Sequence, residues 1–195
     1  GKTRTVQGTT TWTHRNGGIT GSGTLSLANG STFVLEEDFT PGTFTLNAPN
    51  LTVNGPARFL GPTTGEFLIR SWTINAEVVV SGDLRIEGNV NFNSALNVAA
   101  GKTLRLVGDP SVGPASLTLT NGLINAGTIE LTTSNVNYSA SLTVTAGTLT
   151  NAPGGLIRAA QGFGGSARTL NANLDNQGTV EVAHNLTYSG DFIND

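Results

Sequence analysis

The chain has no cysteine and no methionine, and only 12% of its 195 residues are charged. Without cysteine it contains neither disulfide bonds nor thiolate metal ligands. The formal net charge is −3 and the ten lysine and arginine residues are scattered. This argues against nucleic acid as a partner, because phosphate binding needs a cationic surface. No apolar run approaches the roughly 20 residues of a membrane-spanning helix, so we expect no membrane insertion.

Helical periodicity is missing as well, since no segment carries apolar residues at positions i, i+3, i+4 and i+7 over three turns. The chain shows two-residue alternation instead. In Asp83–Glu87 two apolar residues point to one face and three charged residues to the other. Turn residues such as Asn29-Gly30 and Asn121-Gly122 separate many of these runs, because Gly and Asn tolerate a positive φ. The sequence therefore predicts an all-β fold of short strands.

A motif of the form Leu-x-Asn-x-Gly recurs in the second half of the chain. It begins at Leu123, at Leu149 with one inserted residue, and at Leu174, so the leucines are 26 and 25 residues apart. Phe192-Ile193-Asn194-Asp195 resembles the start of a fourth copy. A period of roughly 20–30 residues is typical of a solenoid, in which each unit buries its apolar residues by stacking on the next at ~4.8 Å. We predict a single parallel β-helix (β-solenoid) of about eight to ten irregular coils, each of about 18–28 residues.

The asparagine of this motif has two interpretations. Asn125, Asn151 and Asn176 lie two residues after a leucine and so share its face in an extended strand. They then point inward, and their stacked amides hydrogen-bond along a column. Alternatively, they point outward and only adopt the turn conformation that precedes a glycine.

The repeat divides the chain into two parts. Residues 41–195 read as solenoid coils, cut off within a repeat, so we expect the chain to belong to a longer protein. Residues 1–40 are less regular and form either an amino-terminal cap or the first coils, since the end of a solenoid needs an atypical unit to cover its core.

Candidate catalytic and metal-binding groups are few. The two histidines, His14 and His184, would lie at opposite ends of a solenoid, so no metal site is expected. Gly101-Lys102-Thr103 resembles the end of a phosphate-binding loop, but Leu96 stands where that loop needs a glycine. The acidic residues around Arg85 read as solvated charge pairs, and Glu36-Glu37-Asp38 as an exposed loop or a calcium contact. We expect no enzyme and no cofactor.

Two sets of residues are candidates for a ligand surface. One is the pair of Thr-x-Thr runs that should project outward from equivalent strands of successive coils, a surface that could bind ice or a glycan. The other is a set of aromatic rings that could serve as platforms for sugars. Together these candidates are Trp12, Trp72, Thr118, Thr120, Tyr138, Thr143 and Thr145.

Residues 123–129 and 174–180 resemble the repetitive β-helical stretches of large bacterial surface proteins, namely filamentous haemagglutinin-like adhesins and autotransporter passenger domains. Residues 82–88 also resemble a coil of bactofilin, a cytoskeletal β-helix. The first resemblance implies an extracellular or cell-surface structural segment, a stiff rod in an adhesin or filament, with further coils or neighbouring copies as partners. A carbohydrate-binding or carbohydrate-cleaving β-helix and an ice-binding solenoid are the alternatives.

Overall fold

The structure is a computed structural model that describes residues 2–15, 23–42 and 44–194. These residues form 23 β-strands and no helix, and every strand-to-strand ladder between them is parallel. The strands stack on three faces of one solenoid, which confirms the predicted parallel β-helix.

The first face consists of two sheets that follow one another along the solenoid. The three-stranded sheet contains, in spatial order, β1 (Lys2–Thr5), β3 (Gly23–Ser26) and β5 (Phe44–Asn47). The six-stranded sheet contains β8 (Glu66–Arg70), β11 (Asp83–Glu87), β14 (Thr103–Gly108), β17 (Thr128–Thr133), β19 (Leu156–Ala159) and β21 (Thr179–Val182).

The second and third faces belong to one sheet, because two long strands bend from one face to the other. The second face stacks β2 (Thr11–His14), β4 (Thr32–Leu35), β6 (Thr52–Asn54), β9 (Thr73–Ile74), β12 (Asn89–Phe92), β15 (Ala115–Leu119), β18 (Ala140–Asn151), β20 (Arg168–Asn176) and β22 (Leu186–Ser189). The third face stacks β7 (Phe59–Leu60), β10 (Val78–Val80), β13 (Leu96–Val98), β16 (Leu123–Asn125), the carboxyl ends of β18 and β20, and β23 (Phe192–Asn194).

The described residues form nine strands on the second face, one for each coil, so the solenoid has nine coils in this part of the chain. This number lies within the predicted range of eight to ten. In-register residues of neighbouring strands are 18 to 28 positions apart, from Thr11 and Thr32 at one end to Asn171 and Ser189 at the other. The first two coils lie within residues 1–40. Their strands pair in parallel with those that follow, as in Thr32 with Thr52, so this segment continues the stack.

The core is a narrow column of inward side chains. Leu123, Leu149 and Leu174 are direct ladder partners on the third face and are buried, which confirms the predicted common column. In the first coils the core is aromatic: the ring centroids of Phe39 lie 5.0 Å from Phe33 and 5.5 Å from Phe59. The fourth copy of the motif is also in register, because Phe192 pairs with Leu174.

The motif asparagines point inward, which confirms the first of the two interpretations. Asn125 donates a side-chain hydrogen bond to Asn151 (2.7 Å), and Asn151 donates one to Asn176 (2.7 Å). Asn176 donates in turn to Asn194 (2.8 Å). The Oδ1 of Asn125 has no partner, since its neighbour in the preceding coil is Val98. The column therefore begins where a polar residue first replaces an apolar one.

The motif glycine has a packing reason. The ladder pairs Leu156 with Thr128 and with Thr179, so the glycine before it, Gly155, corresponds to Gly127 and Gly178. The second copy of the motif therefore contains two inserted residues, not one. A Cβ on Gly155 would lie 2.4 Å from the carbonyl oxygen of Asn125. Only glycine lets the backbone approach that closely.

Candidate functional site

The predicted threonine pairs do project from equivalent strands. Thr118 of β15 stands beside Thr143 of β18 in the ladder, and the Oγ1 of Thr145 donates to the carbonyl of Leu119 (3.0 Å). Thr120 and Thr145 are exposed, while Thr118 and Thr143 are half-buried by their neighbours. These four residues therefore lie on one outward surface.

This surface extends over all nine coils, far beyond the two coils that carry the Thr-x-Thr runs. One outward column runs along the second face through Thr11, Thr32, Thr52, Thr73, Asn91, Thr118, Thr143, Asn171 and Ser189. We call the outward side of the second-face strands the threonine face. Among the described residues, every outward strand position on it is Thr, Ser or Asn except Val34.

A signal for the first half of this column exists in the sequence. Thr11, Thr32, Thr52 and Thr73 are 21, 20 and 21 residues apart, and each precedes an apolar residue. Asparagines form a second ladder beside this column, in which Asn75 donates to Asn54 and Asn93 donates to Asn75 (2.7 Å). The threonine face is thus uncharged and regular, and its asparagines are hydrogen-bonded to one another.

The three candidate aromatic rings do not form a common platform. Trp72 is only 2% exposed and its Nε1 donates to the carbonyl of Ala48 (2.8 Å), so the indole belongs to the core. Trp12 lies in the first coil, half-buried against the core, and Tyr138 is half-buried in the segment between β17 and β18. The expectation that Trp72 offers a ring at the surface is wrong, because the alternation of the strand turns it inward.

Charged side chains gather on the outward side of the first face, the charged face. Arg105 pairs with Glu66 (2.7 Å) and with Glu130 (2.9 Å), while Arg158 pairs with Glu181 (3.2 Å). Glu87 differs from the solvated charge that the sequence predicts, because its side chain is only 2% exposed. It is held between Arg70 and Arg85, which neutralise it. A pair of guanidinium groups thus allows a carboxylate to be buried here.

Asp109 is the carboxylate with the most extensive hydrogen bonding to hydroxyls. It accepts bonds from the Oγ of Ser111 (2.6 Å), the N–H of Ser111 (2.9 Å) and the Oγ of Ser134 (2.7 Å). These bonds, the Ser111 hydroxyl first, lower the pKa of Asp109 to about 2. The arrangement fastens the turn after β14 to the next coil.

The remaining titratable candidates stay apart. Glu36, Glu37 and Asp38 are exposed, and the Arg58 guanidinium holds the pKa of Asp38 below its usual value. His14 lies in the first coil and His184 in the last, at opposite ends as predicted. In the part of the chain that the structure describes, no three His, Cys, Asp or Glu side chains are placed to hold a metal ion.

Arg168 is fully buried, although nothing in the sequence around it predicts a buried charge. It stands in register with Ala140, and its guanidinium donates to the carbonyls of Ala160 (3.1 Å) and Gln161 (2.8 Å) and to that of Ser166. Burial lowers the pKa of Arg168. The side chain folds the loop before β20 onto the solenoid, which is a structural role.

A cleft of about 630 Å³ lies on the first face, where the two sheets meet without pairing. It is bordered by Thr45 and Asn47 of β5 on one side and by Glu66, Leu68 and Arg70 of β8 on the other. We call it the β5–β8 cleft. Trp72 spans its inner end through the bond to Ala48.

Backbone strain is concentrated at the same cleft. Asn50 and Ser71 have φ values of 49° and 57°, and they are the two non-glycine residues with a positive φ in the described part of the chain. Both line the cleft. Strained backbone at a cavity is typical of functional sites.

The described residues include no helix long and apolar enough to span a membrane. Comparison of the chain with protein-family models, with curated proteins and with solved structures finds no match.

Proposed function

We propose that this chain is a non-enzymatic structural segment, a stiff rod in a bacterial adhesin or surface filament that works outside the cell. The observation that supports this proposal is the unbroken second-face ladder, in register from Thr11 to Ser189 through nine coils. In such a ladder the backbone hydrogen bonds run along the long axis, so bending the rod requires many of them to deform together. A continuous core and the asparagine column add to this resistance.

Further coils or neighbouring copies are the partners that the last coil suggests. Phe192 and Ile193 are 52% and 60% exposed, and Val182 is 58% exposed. Apolar side chains beside an unpaired strand edge favour the addition of another coil. We expect light scattering to show association that grows with protein concentration and that weakens when Phe192 and Ile193 are both changed to Lys.

Rigidity is tested by small-angle X-ray scattering of the purified chain. Nine coils stacked at ~4.8 Å give a rod about 40 Å long, and its scattering profile should not change between low and high salt. Location is tested by antibodies raised against the chain. They should label intact cells of the source organism as strongly as permeabilised cells, and labelling of permeabilised cells alone would contradict an extracellular role.

The threonine face favours ice binding as a second candidate function. Its hydroxyls and amides are uncharged and repeat at the spacing of the coils over the full solenoid. We expect such a face to slow ice recrystallisation, and a Thr118→Lys/Thr143→Lys variant to lose this effect. Two results would contradict this candidate: an unsubstituted chain that does not slow ice recrystallisation, or a doubly substituted variant that slows it as much as the unsubstituted chain does.

Carbohydrate binding or cleavage is the third candidate. The rings of Trp12, Trp72 and Tyr138 do not support it, because they form no common platform for a sugar. Polar residues of the threonine face still offer donors and acceptors to a glycan. A glycan array and a reducing-sugar assay separate binding from cleavage, and a negative result in both leaves the structural role as the proposal.

A further inference from the structure

We propose that the β5–β8 cleft is a binding site for an uncharged, extended peptide segment, which inserts as a strand between the two first-face sheets. β5 is the last strand of the three-stranded sheet and β8 the first of the six-stranded sheet. No backbone hydrogen bond joins these two strands among the described residues, although the coils that contain them are paired on the second face through β6 and β9. The cleft therefore faces two open strand edges.

The backbone groups at both edges point into the cleft. The carbonyl of Asn47 accepts a bond from Leu27 on the side of β3 (2.9 Å), and consecutive residues alternate, so Leu46 turns its N–H and C=O toward β8. On the other side, Ser71 donates to Glu87 on the side of β11 (3.2 Å), so Leu68 and Arg70 turn theirs toward β5. Unpaired groups of this kind pair with an added strand.

The cleft is large enough to admit one short strand. A four-residue strand is about 13 Å long and occupies about 4.8 Å of sheet width and about 10 Å of depth, which gives roughly 620 Å³. The cleft volume is about 630 Å³. An inserted strand would join the two sheets into one continuous face.

The side chains around the cleft define the chemistry of the peptide. Glu66 is paired with Arg105 and Arg70 with Glu87, so the two charges at the rim are already neutralised. On the inner side, Leu46 and Phe67 offer apolar contacts. A peptide that alternates small apolar and uncharged polar residues places each type against its match.

The test uses a capped hexapeptide in which threonine and valine alternate, and the full chain with Trp12→Phe so that Trp72 is the only tryptophan. We expect a saturable change in Trp72 fluorescence. Two control peptides have the same composition, one with three valines followed by three threonines, the other N-methylated at alternate residues. Both should bind about tenfold more weakly, because one loses the alternation and the other the backbone donors.

A matched pair of variants locates the site. Leu68→Pro removes an N–H that faces the cleft without affecting the ladder to β11, and it should weaken peptide binding about tenfold. Leu68→Ala removes the same side chain but keeps the N–H, and it should bind nearly as well as the parent. Thermal unfolding checks that both variants fold, and the N-methylated peptide tests the same bonds without any change to the protein.

Several results would overturn the proposal. These are the absence of saturable binding, equal binding of the alternating and N-methylated peptides, equal loss in the two Leu68 variants, and binding of cello-oligosaccharides in place of the peptide. None of them bears on the rigidity or the location of the rod, which are measured by scattering and by antibody labelling.

Discussion

Two ladders of asparagine run through this molecule, one in the core and one on the threonine face. Asn151 is fully buried, donates to Asn176 and accepts from Asn125. Asn75 makes the same two kinds of contact with Asn54 and Asn93 but is exposed. The same side chain and the same pairing thus occur with and without access to water, which separates the effect of burial from that of the hydrogen bond.

We predict that Asn151→Ala lowers the free energy of unfolding by about 2–4 kcal/mol, because it leaves buried partners on both sides unsatisfied. Asn75→Ala should cost less than about 1 kcal/mol, since water replaces the lost bonds. Urea unfolding of both variants measures the difference. Equal costs would mean that the inner column contributes nothing beyond its surface counterpart.

Asp109 makes the stability of the protein depend on pH. Its folded pKa of about 2 lies below the unfolded value of about 3.9. The ionised form is therefore favoured by folding, and its contribution is present above about pH 4 and is lost as the pH falls through about 2. The shift corresponds to about 2–3 kcal/mol in all, of which about 2 kcal/mol is lost between pH 4 and pH 2.

Asp109→Asn should therefore reduce the loss of stability between pH 4 and pH 2 by about that amount. Urea titrations of the parent and the variant across this range provide the measurement. If the two proteins lose stability in parallel, the hydroxyl bonds from Ser111 and Ser134 do not tune this carboxyl group.

At the scale of the strand, burial depends on having a coil on both sides. Leu123 of β16 is 1% exposed between β13 and β18, whereas Val180 of the last first-face strand is only partly buried. Alternation places both side chains inward, but only Leu123 is covered from both directions.

Leu123→Ala should cost about 2–5 kcal/mol of unfolding free energy, as expected for a buried leucine. Val180→Ala should cost about 1 kcal/mol, and the outward Thr143→Ala less than about 0.5 kcal/mol. Chemical denaturation of the three variants gives the order. A larger cost for Thr143 than for Leu123 would contradict the assignment of inward and outward positions.

The strands could be predicted where the sequence repeats itself. The Leu-x-Asn-x-Gly motif specifies a buried leucine, a stacked amide and a close backbone approach, and these three demands recur at Leu123, Leu149 and Leu174. The threonine column of the first four coils was not predicted. Its strands are short, β9 having only two residues, and they lack this motif. The cleft could not be predicted at all, since it results from a ladder that fails to form between β5 and β8.

At the scale of the whole molecule, stability should vary along the axis. Central strands such as β14 have a paired neighbour on both sides, while β21 and β22 each have one. We expect amide hydrogen exchange to be slowest in β11, β14 and β17 and fastest in the end strands β1, β2 and β21 to β23, because local opening is easiest where one interface is missing. Mass spectrometry after timed labelling measures this gradient. Uniform protection would mean that the coils open only together.

The two faces differ in charge along the whole molecule. The first face carries ion pairs, whereas the outward strand positions of the threonine face carry no charged side chain among the described residues. The two surfaces therefore offer different chemistry to their surroundings over the same length.

Coil length varies from 18 to 28 residues along the second face, yet the ladder stays in register. The additional residues leave the stack at corners such as the loop that Arg168 holds before β20. Insertion or loss of one complete coil would therefore change only the interfaces with the neighbouring coils and leave the other coils as they are. Each added or removed coil would change the length of the solenoid by about 4.8 Å. Duplication of the segment that encodes one coil is therefore enough to lengthen a protein of this fold.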